Sequence, residues 1–190
     1  MDRVDFVIDS VYGKVLDVGF DHGSLHSKIK ENFPQKDIYG IDIVMKEKSK
    51  NYKNGTAEKI PFEKSFFDSI VAGELIEHLK KPELFVKEAK RVLKKRGVLV
   101  LTTPNRKSLV NRVTKSYFTP IHFSLFTKQE LENLLQENGF EIEKFECFPY
   151  TEESSKGAKH KSMFAFRRII HYFLPQTLQE QMCILARKVK

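Results

Sequence analysis

The sequence predicts an α/β fold in which a doubly wound, mostly parallel sheet carries helices on both faces and ends in an antiparallel hairpin. Two observations lead to this fold class. Short apolar runs alternate with longer segments of helical periodicity, which is the pattern of a parallel sheet covered on both sides. The last two apolar runs lack an ordinary crossover helix between them, which favours an antiparallel pair.

Six apolar runs are predicted to be strands. The first four are each too short for a helix and several are rich in Val and Ile, and the last two follow as a closing hairpin. They are residues 14–19, 37–42, 67–72, 98–103, 140–148 and 181–189. The clearest helix begins with Pro82 in its first turn, buries one apolar face and ends at Gly97 after a basic run. A second helix begins at the capping box of Thr127 and Glu130 and ends at Gly139.

The chain of 190 residues is predicted to form one domain, residues 1–190, with an insertion at about 149–179 between the last two strands. Abundant Phe, Leu, Ile and Val exclude intrinsic disorder, and no apolar run approaches the roughly 18 residues that span a membrane. The two cysteines, Cys147 and Cys183, allow no disulfide framework. We therefore expect a cytoplasmic location.

The loops after the strands are the places where a ligand is expected, because ligands bind at the carboxyl ends of parallel strands. The first strand leads through Asp17 and Gly19 to Gly23 and then into a helix. Glycines let this backbone turn tightly, and the helix start adds free N–H groups. Asp42 ends the second strand, where a carboxylate can hold both hydroxyls of a ribose.

These residues resemble the motifs of the class I S-adenosylmethionine-dependent methyltransferases, and in particular the type 11 methyltransferases and the ubiquinone-pathway O-methyltransferases. The matching segments are 16–19 with Gly23, Asp42, 55–62, 67–71, 74–79 and 91–106. The resemblance covers about residues 10–148 and the last ten residues. It implies a Rossmann-like sheet of seven strands. One departure is Asp21, which stands where the family usually has its central glycine.

The resemblance also implies roles for individual residues. The implied cofactor-binding residues are Asp17, Gly19, Gly23, Asp42, Ala57, Glu58 and Glu74. In chain order, the first three line the methionine end of S-adenosylmethionine, the fourth its ribose, and the next two its adenine. A dinucleotide-binding dehydrogenase is the competing interpretation of the same turn, but the three-glycine fingerprint of that class is missing.

The sharpest chemical feature is the trio of Glu74, Glu77 and His78, because spacings of three and four residues place all three on one face of a helical turn. His122 follows just before the second capping box. The set resembles two metal-dependent branches of the class, the ubiquinone-pathway O-methyltransferases and the small-RNA 3′-end 2′-O-methyltransferases. The resemblance implies Mg²⁺ or Mn²⁺ on these four residues, where the ion would lower the pKa of an acceptor hydroxyl.

Two alternatives stay open for the same residues. In metal-free relatives the Glu77-His78 pair caps and packs the loop after the fourth strand, and His122 can simply line the acceptor pocket. His78 and His122 are then the candidate catalytic residues, acting as general bases without a metal. The motif of the exocyclic-amine methyltransferases is absent, so oxygen is the predicted acceptor atom.

The net charge of +8 is unevenly distributed. Two stretches, 102–129 and 154–179, contain no acidic residue, and both are expected to overhang the acceptor side of the site. Cationic walls at a substrate mouth favour an anionic acceptor. The predicted function is therefore O-methylation of an anionic small molecule, glycan or lipid precursor.

Two alternative functions remain. The positive charge and His122 favour an RNA 2′-O-methyltransferase. Asp21, together with a segment of only about 13 residues before the first strand, favours a non-catalytic, methyltransferase-like partner subunit. Residues 163–174 mix aromatic and basic side chains, which predicts a lid, a dimer contact or a helix that touches anionic lipid at a membrane surface.

Overall fold

A computed structural model describes residues 1–20, 24–45, 49–114, 120–149 and 173–189, with only the backbone described at 113 and 114. The strands are β1 Val15–Val18, β2 Ile38–Asp42, β3 Tyr52–Asn54, β4 Phe67–Gly73, β5 Leu93–Pro104, β6 Phe140–Phe148 and β7 Gln181–Lys188. The α-helices are α1 Arg3–Ser10, α2 Ser24–Asn32, α3 Pro82–Val92, α4 Leu109–Thr114 and α5 Lys128–Glu137. Short 3₁₀ helices cover Gln35–Asp37, Ile76–His78 and Gln176–Leu178.

The described residues form one seven-stranded sheet in the order β3-β2-β1-β4-β5-β7-β6. Strands β1 to β5 pair in parallel, whereas β7 runs antiparallel to both β5 and β6. The predicted fold class, including the closing antiparallel hairpin, is confirmed. Because β1, β2, β4 and β5 are parallel, their carboxyl ends meet at one edge of the sheet.

Two apolar clusters cover the two faces of the sheet. Helices α1 and α2 pack on one face through Phe6, Val7, Leu25 and Ile29, together with strand residues such as Val71. Helices α3 and α5 pack on the opposite face, and their buried side chains there are Phe85, Val86, Ala89, Val92, Leu131 and Leu135. The sheet is therefore a rigid platform on which the loops at its carboxyl edge are held.

The structure corrects the predicted end of the third helix. Helix α3 ends at Val92, and the backbone turns extended at Leu93 with φ −71° and ψ 137°. Leu93 pairs with Phe67, and the Lys94 ammonium donates hydrogen bonds of 2.8 and 2.9 Å to the Asp68 carboxylate. The basic run before Gly97 thus begins a long strand instead of completing a helix, because strand pairing and the Asp68 carboxylate engage it.

Helix α5 has the ends that the sequence predicts. The Thr127 hydroxyl accepts a hydrogen bond from the Glu130 backbone N–H, and the Glu130 carboxylate accepts one from the Thr127 backbone N–H. Gly139 follows the helix with φ +82°, a conformation that favours glycine. Both ends of this helix are therefore fixed by local sequence.

Helices α1 and α4 and strand β3 escaped prediction, and one predicted segment lies mostly outside the described residues. Helix α1 begins at its own capping box, in which Asp2 and Asp5 bond reciprocally, and β3 is only three residues long. The predicted insertion at 149–179 and the predicted helix at 163–174 fall mostly outside the described residues. Within the described part of the chain, no helix is long and apolar enough to cross a bilayer.

Candidate active site

The turn after β1 brings the backbone to the carboxyl edge of the sheet. Gly19 has φ +78°, and a Cβ on this residue would lie 3.0 Å from the Leu75 side chain. The Gly19 N–H donates a 2.8 Å hydrogen bond to the Ile41 carbonyl of β2. The predicted glycine turn is therefore real at this position. Gly23 and Asp21 lie outside the described residues.

Two carboxylates stand at the ends of neighbouring strands. Asp17 is 3% exposed on β1, and Asp42 is 7% exposed at the end of β2. Burial raises the pKa of the Asp17 carboxyl, and a hydrogen bond from His26 opposes that rise. The Asp42 carboxylate accepts a 3.2 Å hydrogen bond from the Val44 N–H. Both residues lie at the edge where the sequence predicts the cofactor.

The loop after β3 carries the residues predicted to line an adenine. Its Gly55 N–H donates a 3.0 Å hydrogen bond to the Asp42 carbonyl, which ties the loop to β2. Ala57 is buried and Glu58 is exposed. Glu58 lines an open cavity of about 570 Å³, together with Gly55 and Arg91 of α3. The structure thus places this loop beside the end of β2.

Glu74 does not share a helical face with Glu77 and His78. Its backbone is left-handed, with φ +51°, and the 3₁₀ turn that follows begins only at Ile76. The Glu74 carboxylate accepts a 3.2 Å hydrogen bond from the Thr102 hydroxyl and lies 3.9 Å from the Arg3 guanidinium. The prediction from helical spacing is therefore wrong for Glu74, because the chain reverses before the turn starts.

The polar cluster around Glu74 includes an arginine that sequence reasoning missed. Arg3 stands on α1, is 9% exposed, and donates a 3.3 Å hydrogen bond to the Thr102 hydroxyl. Its Nε makes no hydrogen bond to any residue that the structure describes. Burial raises the pKa of the Glu74 carboxyl, and the charge of Arg3 opposes that rise. The only sequence signal for Arg3 is the capping box that starts its helix.

Glu77 lies on the opposite side of the same loop, facing β5. It is 1% exposed, and its carboxylate accepts a 3.0 Å hydrogen bond from the Thr103 hydroxyl. Burial and the nearby Glu74 charge raise the pKa of this carboxyl well above its usual value. The Glu77 carbonyl also accepts hydrogen bonds of 2.8 and 3.0 Å from the N–H groups of Phe123 and Ser124. The turn and the later loop are thus joined through the backbone.

His78 and His122 face each other across that junction. Their ring centroids are 4.8 Å apart, and His78 Nδ1 lies 3.1 Å from the Ile121 carbonyl. A carbonyl can only accept, so Nδ1 carries the hydrogen and Nε2 of a neutral ring keeps its lone pair. Ligand atoms of Glu77, His78 and His122 all lie within 4.8 Å of one another. Three of the four predicted metal ligands therefore meet, and Glu74 is outside that group.

Known proteins match both the sequence and the fold. A family model described as a methyltransferase domain matches residues 2–144. A Mycolicibacterium smegmatis protein named "Probable S-adenosylmethionine-dependent methyltransferase" is 27% identical over 137 residues, which are 72% of this chain and 47% of that protein. The mitochondrial ubiquinone biosynthesis O-methyltransferase of Rattus norvegicus is 31% identical over 93 residues, 40% of this chain and 25% of that protein.

Solved structures agree on the fold. A SAM-dependent methyltransferase from Archaeoglobus fulgidus superposes with a TM-score of 0.72 at 23% identity, covering 98% of this chain and 91% of that one. The chain spans less than half the length of the two curated relatives above. The sheet with its antiparallel end, the glycine turn and the matched family model define a class I methyltransferase fold. The chain belongs to the methyltransferase domain family, as its motifs predict.

Proposed function

We propose that this chain transfers a methyl group from S-adenosylmethionine to an oxygen atom of an anionic acceptor. The proposal rests on the arrangement of residues at the carboxyl edge of the sheet, in a chain that belongs to the methyltransferase domain family. There the left-handed turn at Gly19 lies beside two buried carboxylates, Asp17 and Asp42. When bound, the sulfonium of the cofactor supplies an already activated methyl group, so the protein mainly has to orient the reactants.

The described residues fit each part of this cofactor. The Asp42 carboxylate at the end of β2 suits the two ribose hydroxyls, and the loop of Ala57 and Glu58 next to it suits the adenine. Asp17 suits the ammonium group of the methionine end, because a buried carboxylate is stabilised by a cation. A side chain at Gly19 is disfavoured by the φ of +78° and by Leu75, whose Cδ1 would lie 3.0 Å from the added Cβ, and glycine therefore leaves the turn open for close approach.

Arg3 and Glu74 complete the proposed methionine end. A buried polar atom without a protein partner calls for an explanation, and a bound ligand is one. The Arg3 Nε is such an atom among the described residues, and the guanidinium is suited to a carboxylate. A zwitterionic amino-acid tail offers both charges that Arg3 and Glu74 could pair with. We therefore include Arg3 among the cofactor-binding residues.

His78 is the proposed catalytic base, or a metal ligand, at the acceptor hydroxyl. Its hydrogen bond to the Ile121 carbonyl fixes the ring so that Nε2 presents a lone pair. A hydroxyl must lose its proton as it accepts the methyl group, and a positioned imidazole can take that proton. His122, with its ring 4.8 Å away, stands where it can contact the same acceptor.

A divalent metal is the second way in which this trio could act. Without Glu74, the donor set is one carboxylate and two imidazoles, which suits Mn²⁺, Zn²⁺ or Fe²⁺ better than Mg²⁺. The bond from His78 Nδ1–H to the Ile121 carbonyl is the kind of support that metal-ligating histidines usually have. A metal held by Glu77, His78 and His122 would lower the pKa of a bound hydroxyl and orient vicinal oxygens.

Positive charge supports an anionic acceptor. Lys107 and Arg112 are exposed in the acid-free stretch after β5. Arg106, in contrast, is engaged by the Glu130 carboxylate and by the Leu125 carbonyl, so it serves the structure. Phosphorylated sugars, nucleotide-linked glycans and lipid head groups share the anionic chemistry that such a surface attracts.

The experiment that tests the proposal combines binding with a panel of acceptors. We expect S-adenosylhomocysteine to bind the full chain, and labelled methyl groups to appear on a hydroxylated anion such as a catechol or a sugar phosphate. Added Mn²⁺ should raise the rate if the trio binds metal. His122→Gln should abolish that increase, whereas Lys87→Gln on the exposed face of α3 should not. If S-adenosylhomocysteine binds but no oxygen acceptor becomes methylated, the proposed acceptor class is contradicted.

An RNA 2′-O-methyltransferase is the second candidate, because the net charge is +8 and the trio contains His122. Binding to a short RNA that weakens steeply with salt would favour it. A non-catalytic partner subunit is the third. Restoring glycine at Asp21 should not improve cofactor binding if the role is purely structural.

A further inference from the structure

A buried chain of polar side chains lies between the sheet and α2, directly under the turn at Gly19. His26 of α2 places Nδ1 2.9 Å from the Asp17 carboxylate and Nε2 3.1 Å from the Tyr52 hydroxyl. Asp17 is 3% exposed and His26 is 9% exposed. Of these three side chains, only Asp17 has a role in the proposed cofactor site, and His26 and Tyr52 have none there.

The hydrogen atoms of this chain can be placed from its chemistry. A carboxylate only accepts, so His26 Nδ1 carries a hydrogen and donates it to Asp17. Burial and the Asp17 charge raise the pKa of Tyr52, which keeps its hydroxyl protonated. When the His26 ring is neutral, its Nε2 accepts a hydrogen bond from the Tyr52 O–H. The hydrogen bonds then run in one direction, from Tyr52 on β3 through His26 on α2 to Asp17 on β1.

His26 also opposes the cost of burying the charged Asp17 carboxylate. Burial and the charge of Asp42 both raise the pKa of Asp17, which disfavours the ionised carboxyl. The hydrogen bond from His26 lowers the same pKa. Among the described groups that act on Asp17, His26 of α2 is the one that favours the carboxylate.

Aromatic packing fixes the imidazole in place. The Phe20 ring lies 4.6 Å from the His26 ring and 5.3 Å from the Tyr52 ring, measured between centroids. A Cβ on Gly40 would lie 2.7 Å from the Phe20 ring, so the glycine on β2 makes room for this stack. The imidazole is thus held between three elements and has little freedom to turn away from Asp17.

We propose that His26 and Tyr52 are positioning residues that hold the Asp17 carboxylate charged and oriented to receive the cationic ammonium of an amino-acid tail. The inference rests on the proposed cofactor site, because it takes Asp17 as a ligand of the cofactor. His26 acts on Asp17 directly, and Tyr52 acts through His26. Neither side chain needs to touch the cofactor.

Two nucleosides measure this role on the full chain by calorimetry. S-Adenosylhomocysteine carries the amino-acid tail, whereas 5′-methylthioadenosine lacks it. We expect His26→Leu to weaken binding of the tailed nucleoside about tenfold, the scale of a lost charge-assisted hydrogen bond, and to change binding of the tail-less one less than about twofold. His26→Asn should restore most of the affinity, because its amide N–H can replace Nδ1–H. Glu31→Gln on the exposed face of α2 is the matched control.

Tyr52→Phe adds a test of the relay. It should weaken binding of the tailed nucleoside about threefold, the scale of a lost neutral hydrogen bond. The double variant with His26→Leu should be no weaker than His26→Leu alone, because residues of one network are not additive. Full additivity of the two effects would contradict the relay.

Asp17→Asn separates this inference from the proposed function. If it weakens the tailed nucleoside while His26→Leu does not, the cofactor site stands and the positioning role is wrong. Equal losses for both nucleosides in His26→Leu would show a packing role and overturn the inference. If Asp17→Asn has no effect, the assignment of Asp17 to the cofactor fails first. If His26→Leu does not fold, the comparison of His26→Gln with His26→Asn replaces it. We expect the Gln variant to bind the tailed nucleoside more weakly than the Asn variant does.

Discussion

The two halves of the candidate site lie at the same edge of the sheet but are held in place differently. In the cofactor half, Asp17 and Asp42 stand on paired strands, with Asp17 in register with Gly40 of β2. In the acceptor half, Glu77 and His78 stand on a 3₁₀ turn. That turn is joined to the loop of His122 by backbone hydrogen bonds to the Glu77 carbonyl.

This difference has a functional consequence. Side chains fixed by strand register keep their positions when surrounding loops change, because register is set by the buried faces of the sheet. Side chains fixed between two loops move with those loops, which tolerate variation and often carry specificity. In the proposed site, we therefore expect the cofactor half to be the constant part and the acceptor half to be the part that can be adapted.

The largest effect should come from the acceptor half. His78→Asn keeps a donor for the Ile121 carbonyl and removes Nε2, so the loop stays in place while the base or metal ligand is lost. We expect the rate of methyl transfer to fall about 10²- to 10⁴-fold, with affinity for S-adenosylhomocysteine changed less than about twofold. Lys81→Ala, at the exposed start of α3, is the control. A parallel loss of nucleoside affinity would show that the two halves are not separable.

The second effect breaks the cofactor half. Gly19→Ala places a Cβ on a left-handed backbone and against Leu75. We expect it to weaken binding of S-adenosylhomocysteine at least about tenfold. Gly139→Ala is the matched control, because Gly139 also has a left-handed backbone, with φ +82°, but it follows α5 and lies away from the site. The control should lower the melting temperature without changing affinity. Similar affinity losses in both variants would point to general destabilisation instead.

The third effect tests whether α1 belongs to the cofactor half. Arg3→Gln removes the charge beside Glu74, and we expect about fivefold weaker binding of S-adenosylhomocysteine, in the range of a hydrogen bond to a charged group. Binding of 5′-methylthioadenosine should stay unchanged. Asp9→Asn alters one charge on the exposed side of the same helix and should change neither. Equal weakening of the two nucleosides by Arg3→Gln would assign Arg3 to folding alone.

The smallest effect lies at the opposite edge of the sheet, outside both halves. Burial raises the pKa of Asp68, but hydrogen bonds from Lys94 and from the Lys14 N–H outweigh it and leave that pKa lowered. The pair therefore contributes stability above the unfolded pKa of about 3.9, and this is lost as the pH falls through the folded value. Because Lys94 is partly exposed, we expect Asp68→Asn to cost only about 0.5 kcal/mol at neutral pH. Denaturant unfolding should show the difference vanishing in acid.

The sequence was most informative where local signals act alone. The glycine turn, the carboxylates that end β1 and β2, and the capping box of α5 each depend on a few adjacent residues, and the structure has them where they were predicted. The family and the fold class were also predicted correctly. The pairing of His122 with Glu77 and His78 was expected only from a resemblance, because 43 residues separate the His78 ring from the Ile121 carbonyl that orients it.

Failures occurred where long-range contacts override local patterns. Helical spacing placed Glu74 with Glu77, but the left-handed backbone at Glu74 turns its carboxylate to Thr102 and Arg3. The end of α3 was misplaced because Leu93 pairs with Phe67, a contact that no helical pattern reveals. Arg3 and His26 looked ordinary in the sequence, since their importance comes from distant partners. These partners are Thr102 on β5 and Glu74 after β4 for Arg3, and Asp17 on β1 and Tyr52 on β3 for His26.

Calorimetric titration of S-adenosylhomocysteine into the full chain, with Asp42→Ala in parallel, tests the central claim most directly. We predict binding with a dissociation constant in the micromolar range, at about −8 kcal/mol. Asp42→Ala should lose at least about tenfold in affinity, because the ribose hydroxyls would lose the Asp42 carboxylate as their partner. Absence of binding at about 1 mM nucleoside, or equal affinity in both proteins, would contradict a cofactor site at the carboxyl ends of β1 and β2.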